Sequence, residues 1–131
     1  MPDIEQFSPR GMFHEGWTAE VNDYAIACGW ALKGKQFIVR DVAGGLFAFE
    51  GNTGKIIWEK ENTHSGGLLA MAIHPEGEIF ATSGQDGNVQ ICNCHEGKVI
   101  KTLDLGKGWV EHIKWSNDGL FIAIASSKKV F

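Results

Sequence analysis

The sequence predicts an all-β protein, and within that class an incomplete β-propeller segment of about two and a half four-stranded blades. Three observations lead to this prediction: an excess of glycine, a repeat of about 43 residues, and turn signals that divide each repeat into four short strands. The 17 glycines occur with only three prolines and without long glycine–serine runs. Collagen-like and linker-like sequences are therefore excluded, and the glycines are expected in turns between strands.

The repeat is visible when residues 31–58 are aligned with residues 74–101 without a gap. Six pairs of residues are then identical: Gly34 and Gly77, Phe37 and Phe80, Gly44 and Gly87, Gly54 and Gly97, Lys55 and Lys98, and Ile57 and Ile100. Most of these residues are turn glycines or stand beside one, so the turns recur at the same places in both copies. A unit of this length cannot bury both of its faces alone and needs neighbouring units to cover them.

A third copy follows, in which Asp118 and Gly119 take the places of Glu76 and Gly77. This copy stops at Phe131, where its third strand should begin. The predicted organisation is an N-terminal extension over residues 1–14 and a propeller segment over residues 15–131, with blades at about 21–63, 64–105 and 106–131. Residues 15–20 precede the first copy at the place of an outer fourth strand.

Turn signals and apolar alternation divide each full copy into four strands. In the first copy the predicted strands are Tyr24–Trp30, Lys35–Arg40, Gly45–Glu50 and Lys55–Lys60. In the second copy they are Leu68–Ile73, Glu78–Ser83, Asn88–Asn93 and Lys98–Leu103. The steps Asp86-Gly87 and Glu96-Gly97 suit hairpins because glycine adopts positive φ without strain. No segment combines helical periodicity with capping residues.

Net charge and hydropathy restrict the partners and the compartment. The formal net charge of -4 and the isoelectric point of 5.7 argue against nucleic-acid binding, which usually needs a basic surface. No apolar run approaches the roughly 18–20 residues of a membrane span, and residues 1–13 do not look like a secretory signal. The three cysteines are an odd number and suggest no disulfide framework. We therefore expect a cytoplasmic protein without nucleic-acid or membrane partners.

The cysteine-rich segment Cys92-Asn93-Cys94-His95 is a candidate for metal binding or nucleophilic catalysis. An extended strand would place both thiols on the same face, but the segment has no second pair of ligands, so small core residues are the better interpretation. The sequence also lacks the Gly-x-Ser-x-Gly motif, a paired-carboxylate signature and a phosphate loop. It therefore predicts no catalytic residue, no metal, no cofactor and no enzyme activity.

The second copy carries the most specific family likeness. Residues 63–103 resemble one repeat of the WD-repeat (Trp-Asp repeat) propellers. The segment His74-Pro75-Glu76-Gly77 is similar to the Ser-Pro-Asp-Gly turn of that family, and residues 80–91 are similar to its second strand, tight turn and third strand. The likeness covers the other two copies only as a degenerate pattern.

This resemblance implies a hydrogen-bonded structural tetrad that pins a loop of the blade to its strands. Carried over by position, its members are His64, Thr82, Asp86 and Cys92. The family has tryptophan at the fourth position, so Cys92 removes the indole donor. The first copy departs further, because Ala43 stands where Asp86 stands in the second. An alternative interpretation makes His64 a surface loop residue.

Residues 46–58 of the first copy show a second likeness and resemble the repeat of quinoprotein propellers. In that family the repeat tryptophan packs between blades, and in its dehydrogenases a quinone cofactor occupies the central channel. We expect Trp58 to be a packing residue rather than a cofactor contact. The resemblance leaves open an alternative function, a fragment of a quinoprotein-like propeller that binds a cofactor or acts as an enzyme.

The main functional prediction is a protein–protein interaction scaffold, since propeller repeats supply a framework and function lies on their loops. Candidate interaction residues are Trp17, Trp109, Gln85 and His64. Exposed tryptophans make strong binding anchors, although Trp30 and Trp115 are expected in the core because they end first strands.

The shortage of blades permits two interpretations, because propellers close with about four to eight blades. The chain is either part of a longer propeller, or two chains form a homodimer that closes a six-bladed ring. In the second case the outer strand near residues 15–20 of one chain completes the last blade of the other.

Overall fold

The computed structural model describes residues 16–61, 63–64 and 67–131, and these ranges contain eleven β-strands in three antiparallel sheets. Blade 1 holds β1 (Ala25–Ala31), β2 (Gln36–Asp41), β3 (Leu46–Glu50) and β4 (Ile56–Lys60). Blade 2 holds β5 (Leu68–Ile73), β6 (Ile79–Gly84), β7 (Asn88–Asn93) and β8 (Val99–Asp104). Blade 3 holds β9 (Val110–Trp115), β10 (Ile122–Ser126) and the short β11 (Lys129–Val130).

Each blade is a meander in which consecutive strands pair antiparallel. The eight strands predicted for blades 1 and 2 agree with the observed bounds to within one residue at each end, so the all-β class is confirmed. A 3₁₀ turn at Leu32–Gly34 was not indicated by the sequence patterns; Leu32 and Lys33 adopt positive φ there. The predicted extension over residues 1–14, and Glu15, lie outside the described residues. No helix within the described ranges is long and apolar enough to cross a membrane.

The hydrophobic cores lie between the blades. Side chains from blades 1 and 2 share one cluster, whose buried members are Ala31, Ile38, Leu46, Ala48, Leu68, Phe80, Cys92 and Cys94. A second cluster joins blades 2 and 3 through Ala81, Val89, Val110 and Ile124. The first strands β1, β5 and β9 are neighbours in space. Because burial of a large apolar side chain contributes roughly 1.5–3 kcal/mol, each blade depends on its neighbour for stability.

We call the contact between two neighbouring blades a seam. A polar side chain at the same strand position donates hydrogen bonds across each seam. Arg40 near the end of β2 donates hydrogen bonds to the carbonyl oxygens of Leu68 and Leu69 on β5. Ser83 occupies the equivalent place on β6 and donates to the carbonyl oxygen of Val110 on β9 at 2.7 Å. The Arg40 side chain is buried, which lowers its pKa, and its Nε has no partner among the described residues.

In blades 2 and 3, the end of the first strand contacts the first strand of the preceding blade. Ile73 of β5 packs so closely on Gly29 of β1 that a Cβ at Gly29 would collide with its Cδ1. Trp115 of β9 donates from Nε1 to the carbonyl oxygen of Ala72 on β5 at 3.0 Å, with its ring edge-on to His74. The expectation that Trp115 belongs to the core therefore agrees with its half-buried position between two blades.

Trp30 holds the same position on β1, but the prediction that it is a core residue is wrong, because 57% of its surface is exposed. Its ring contacts Phe37 of its own blade, with 4.8 Å between the ring centroids. The reason is that burial at this position comes from the preceding blade, and no described strand covers that side of β1.

Blade 3 departs from the repeat at its second turn. Val89 pairs with Ser83 across β6 and β7, whereas Val130 pairs with Ala125 across β10 and β11. Residues 127–128 make this turn one residue shorter than its counterpart in blade 2. The spacing that relates the two blades therefore changes after β10, and Val130 rather than Phe131 is the structural equivalent of Val89.

Candidate interaction site

His64 stands at the centre of a hydrogen-bonded group in blade 2. It lies in the loop between β4 and β5, with Nδ1 at 3.0 Å from both carboxylate oxygens of Asp86. Its Nε2 lies 2.9 Å from the hydroxyl oxygen of Thr82 on β6. An ionised carboxylate only accepts, so Nδ1 carries the proton toward Asp86 and Nε2 accepts from Thr82. Only 4% of the His64 surface is exposed, so it is a structural residue and offers no surface to a partner.

Cys92 is not joined to this group. Among the described residues its sulfur makes no hydrogen bond to Thr82, His64 or Asp86, and it packs instead in the core between blades 1 and 2. Desolvation by burial raises the pKa of the Cys92 thiol to about 11, although the positive charge of Lys60 acts in the opposite direction. The residues carried over from the family thus form a three-member network, with an apolar contact in place of the indole.

Asp86 also shapes the turn that follows it, since one carboxylate oxygen accepts from the backbone N–H of Asn88 at 3.0 Å. In blade 1 the residue with this role is Asp41, which accepts from the N–H groups of Ala43 and Gly45. The alignment placed Ala43 opposite Asp86 and missed Asp41. The signal available in the sequence was an aspartate three residues before the glycine pair at 44–45, because aspartate bonds readily to the backbone two residues ahead.

The Asp86 turn lies directly beside the loop between β8 and β9. Gly87 has a φ of 78°, and a Cβ there would collide with the carbonyl oxygen of Gly106. The N–H of Leu105 donates to the carbonyl oxygen of Gly87 at 3.0 Å. Glycine at this position is required by both the backbone conformation and the close approach. His64, through Asp86, therefore fixes a turn on which the next loop rests.

This loop presents Trp109. The carbonyl oxygen of Trp109 accepts from the hydroxyl of Ser126 at 3.0 Å, which holds its backbone, while 52% of its surface is exposed. Gln85 is half-buried at the neighbouring turn. We name the area formed by residues 85–87, 106–109 and 126–127 the Trp109 surface. Of the four candidate interaction residues, the structure brings Trp109 and Gln85 together on this surface.

Trp17 lies elsewhere and is occupied in packing. Its indole N–H donates to the carbonyl oxygen of Gly51 at 2.8 Å, and its ring contacts Phe37 and Phe49. Trp58 makes the matching contact one blade later, where it donates to the carbonyl oxygen of Cys94 at 2.9 Å. Trp17 thus takes the position that Trp58 takes between blades and is half-buried there. Residues 16–20 form no strand.

Trp58 itself lies between blades 1 and 2. Its ring stacks on Phe80 with 5.9 Å between centroids, and Gly97 lies against its edge. This is the packing role expected for the residue on which the quinoprotein likeness depends.

The cysteine segment has the environment of a core. Cys92 and Cys94 share the buried cluster, and desolvation, with Glu78 and Cys92 nearby, raises the pKa of the Cys94 thiol to about 12. His95 points away from them and lies 3.2 Å from the carboxylate of Glu78 at the surface. The described part of the chain holds no group of three or more His, Cys, Asp or Glu residues able to bind a metal ion.

Comparison with protein families gives a match over more than half of the chain. The family model described as the anaphase-promoting complex subunit 4 WD40 domain matches residues 43–118, which span the end of blade 1, all of blade 2 and the first strand of blade 3.

Curated proteins give partial matches. WD repeat-containing protein 1 of Mus musculus is 35% identical over 66 residues, which cover 46% of this chain and 10% of that protein. Its counterpart in Gallus gallus is 38% identical over 64 residues, covering 47% of this chain and 10% of that protein. Quinoprotein ethanol dehydrogenase of Pseudomonas putida is 31% identical over 110 residues, covering 80% of this chain and 17% of that protein. The matched part of this chain thus spans about a tenth of the length of the WD-repeat relatives.

Among solved structures, the C-terminal WD40 domain of Sif2 superimposes with a TM-score of 0.68 at 14% sequence identity. The match covers 81% of this chain and 32% of that domain's chain. The predicted propeller class is confirmed by this agreement in fold.

Proposed function

Because this chain belongs to the WD40-repeat family, we propose that it acts as a protein–protein interaction scaffold and not as an enzyme. The single observation that supports the proposal best is the Trp109 surface. Trp109 is half exposed while its backbone is held by Ser126, so a partner would meet an aromatic side chain on a fixed stretch of backbone. Tryptophan has few rotatable bonds for its contact area and loses little conformational entropy on binding, which is why it dominates many interfaces.

The surroundings of Trp109 complete the binding surface. Lys107 and Lys128 are exposed near it, and Gln85 offers an amide at the adjacent turn. An aromatic anchor flanked by positive charges fits a partner segment that carries an apolar side chain next to acidic residues. We propose an acidic, apolar-anchored segment of another protein as the ligand of this surface.

The proposal is tested by partner capture with matched tryptophan variants. Purified wild-type protein would capture partners from extracts, and the affinity of one identified partner would then be measured by calorimetry. We expect Trp109→Ala to weaken binding at least about tenfold, as for an interface anchor. Tyr24→Ala is the control, because Tyr24 is an exposed aromatic residue beside β1 of blade 1. Equal affinity of wild type and Trp109→Ala would contradict the proposal.

A second candidate function is supported by the 31% identity to quinoprotein ethanol dehydrogenase over 110 residues. Under this alternative the chain would contribute to a cofactor-binding propeller. Trp58 packs in the seam with Cys94 and Phe80, as the repeat tryptophan of that family does, so it supports the likeness in fold but offers no cofactor contact. Absorbance spectra of the purified protein with and without added quinone distinguish the two functions, because only a cofactor site would change the spectrum of the quinone.

The absence of enzyme activity and the cytoplasmic location are also part of the proposal. Its support is the environment of Cys92 and Cys94, whose raised pKa values keep both thiols protonated near neutral pH and therefore unreactive. The three cysteines are free, which suits a reducing compartment. Fractionation of cells that express the protein would test the location.

A further inference from the structure

Blade 3 has an exposed face whose counterpart in blade 2 is covered. In blade 2, Ala81 and Val89 face blade 3 and are fully buried. The equivalent residues of blade 3 are Ala123 and Val130, and both are exposed, with 78% of Val130 accessible. The face that blade 2 turns toward its successor is therefore repeated in blade 3 without a cover from any described residue.

A groove of about 590 Å³ opens on this face. Its lining consists of Lys114, Trp115, Ser116, Asn117, Phe121, Ile122, Ala123 and Phe131. In blade 2 the equivalents of Lys114 and Ser116 are Ala72 and His74, which hold the ring of Trp115 by a hydrogen bond and an edge-on contact. The groove thus lies where a first-strand tryptophan from a following blade would be received.

Blade 1 carries an exposed tryptophan that would fit the groove of blade 3. Trp30 is the equivalent of Trp115, and its ring is 57% exposed. Ala25 at the start of β1 is exposed too, whereas its equivalents Leu68 and Val110 are buried against the preceding blade. The exposed side of β1 therefore has the residues of a seam but no preceding blade among the described residues.

The segment around Trp17 supports the same arrangement. Trp17 packs on blade 1 as Trp58 of β4 packs on blade 2, so residues 16–20 already lie where the outer strand of a preceding blade belongs. In the described residues blade 3 ends with β11, whereas blades 1 and 2 each have a fourth strand. Residues 16–20 of one copy would thus stand beside β11 of another.

We propose that blade 3 of one copy of this chain docks on blade 1 of a second copy, with Trp30 of the second copy in the groove of the first. Two such contacts, related by a twofold axis, close a ring of six blades. The occupant is a second copy because the contact continues the seam that the chain forms twice within itself. Ala125 takes the position of Arg40 and Ser83 but has no donor, so this seam is weaker than the internal ones and depends on concentration.

The test measures the mass of the 131-residue chain in solution by sedimentation velocity across micromolar concentrations. We expect a dimer of twice the 14.4 kDa chain mass. Trp30→Ala and Ala123→Glu should each raise the dissociation constant at least about tenfold, because one removes the anchor and the other places a charge in its groove. Mixing the two variants should recover part of the dimer, since the mixture retains one intact seam.

Trp109→Ala is the matched control and should leave the dimer unchanged, and circular dichroism verifies that every variant is folded. A folded wild-type chain that stays monomeric would overturn the proposal, as would a dimer that neither substitution weakens. A larger, open-ended assembly would overturn the closed ring. Partner binding through the Trp109 surface is measured separately, so the two proposals can fail independently.

Discussion

His64 holds two neighbours at once, the Asp86 carboxylate and the Thr82 hydroxyl, and it is almost completely buried. His64→Ala would leave both groups without this partner in a poorly hydrated place, so we expect a loss of about 1–3 kcal/mol in the free energy of unfolding. Urea denaturation measures this loss. The matched control is His95→Ala, whose exposed pair with Glu78 should contribute less than about 1 kcal/mol. Equal losses from both substitutions would contradict a structural role for His64.

The buried thiols predict a specific pH dependence. The pKa values of Cys92 and Cys94 are raised from 9.0 to about 11 and about 12, so the thiols ionise more readily in the unfolded chain. Their contribution to stability is therefore complete below pH 9 and is lost as the pH rises toward 11 and 12. Between pH 9 and its own raised pKa, each thiol should lower the free energy of unfolding by about 1.4 kcal/mol for every unit of pH increase.

Urea denaturation at several pH values between 8 and about 11 checks this dependence. Cys94→Ala should have a shallower decline than the wild type, whatever its stability at pH 8. Cys28→Ala is the control, because Cys28 is exposed and its removal should leave the slope unchanged. A slope that is the same in all three proteins would show that the buried thiols do not titrate in this way.

At the scale of strands and seams, Trp17 and Trp58 make the same contact one blade apart. Each donates one hydrogen bond to a backbone carbonyl and packs on aromatic rings. Trp17→Phe and Trp58→Phe keep most of the packing but remove the donor, so each should cost about 0.5–1.5 kcal/mol of stability. Trp58→Ala also leaves a cavity and should cost about 3–5 kcal/mol.

Thermal or urea denaturation measures these differences, and Trp109→Phe serves as the control because its ring is half exposed. A Trp17 substitution without effect would show that residues 16–20 do not stay on blade 1. The comparison between Trp17 and Trp58 is the sharpest check on that segment, since it contains no strand of its own.

The strands could be predicted from the sequence because their signals are local. Glycine at positive φ and alternating apolar residues recur at equal spacing, and the predicted bounds of β5 and β7 agree with the structure at both ends. The exposure of Trp30 could not be predicted this way. The same position is half-buried in Trp115, and the difference depends on a neighbouring blade rather than on local sequence. The surroundings of His64 and Trp17 could not be predicted for a similar reason, because contacts distant in sequence bury His64 and half-bury Trp17.

At the scale of the whole molecule, blade 2 is the only described blade that is covered on both faces. In a repeat protein the stability of a unit grows with the neighbours it contacts. We therefore expect the backbone amides of β6 and β7 to exchange with solvent most slowly, and those of β4 and β11 fastest. Hydrogen exchange followed by mass spectrometry measures the order, at a concentration below the dissociation constant of the proposed dimer. Equal protection in all three blades would contradict the dependence on neighbours.

The residue at the Arg40 position has a mechanical consequence. Arg40 attaches blade 1 to two successive carbonyls of β5, Ser83 attaches blade 2 to a single carbonyl of β9, and Ala125 has no donor at all. The number of hydrogen bonds that the side chain at this position donates to the next blade therefore declines along the chain, from two to one to none. The bond from Ser83 ends at the carbonyl of Val110, the residue after Trp109, so we expect a partner bound at Trp109 to act on the angle between the last two blades.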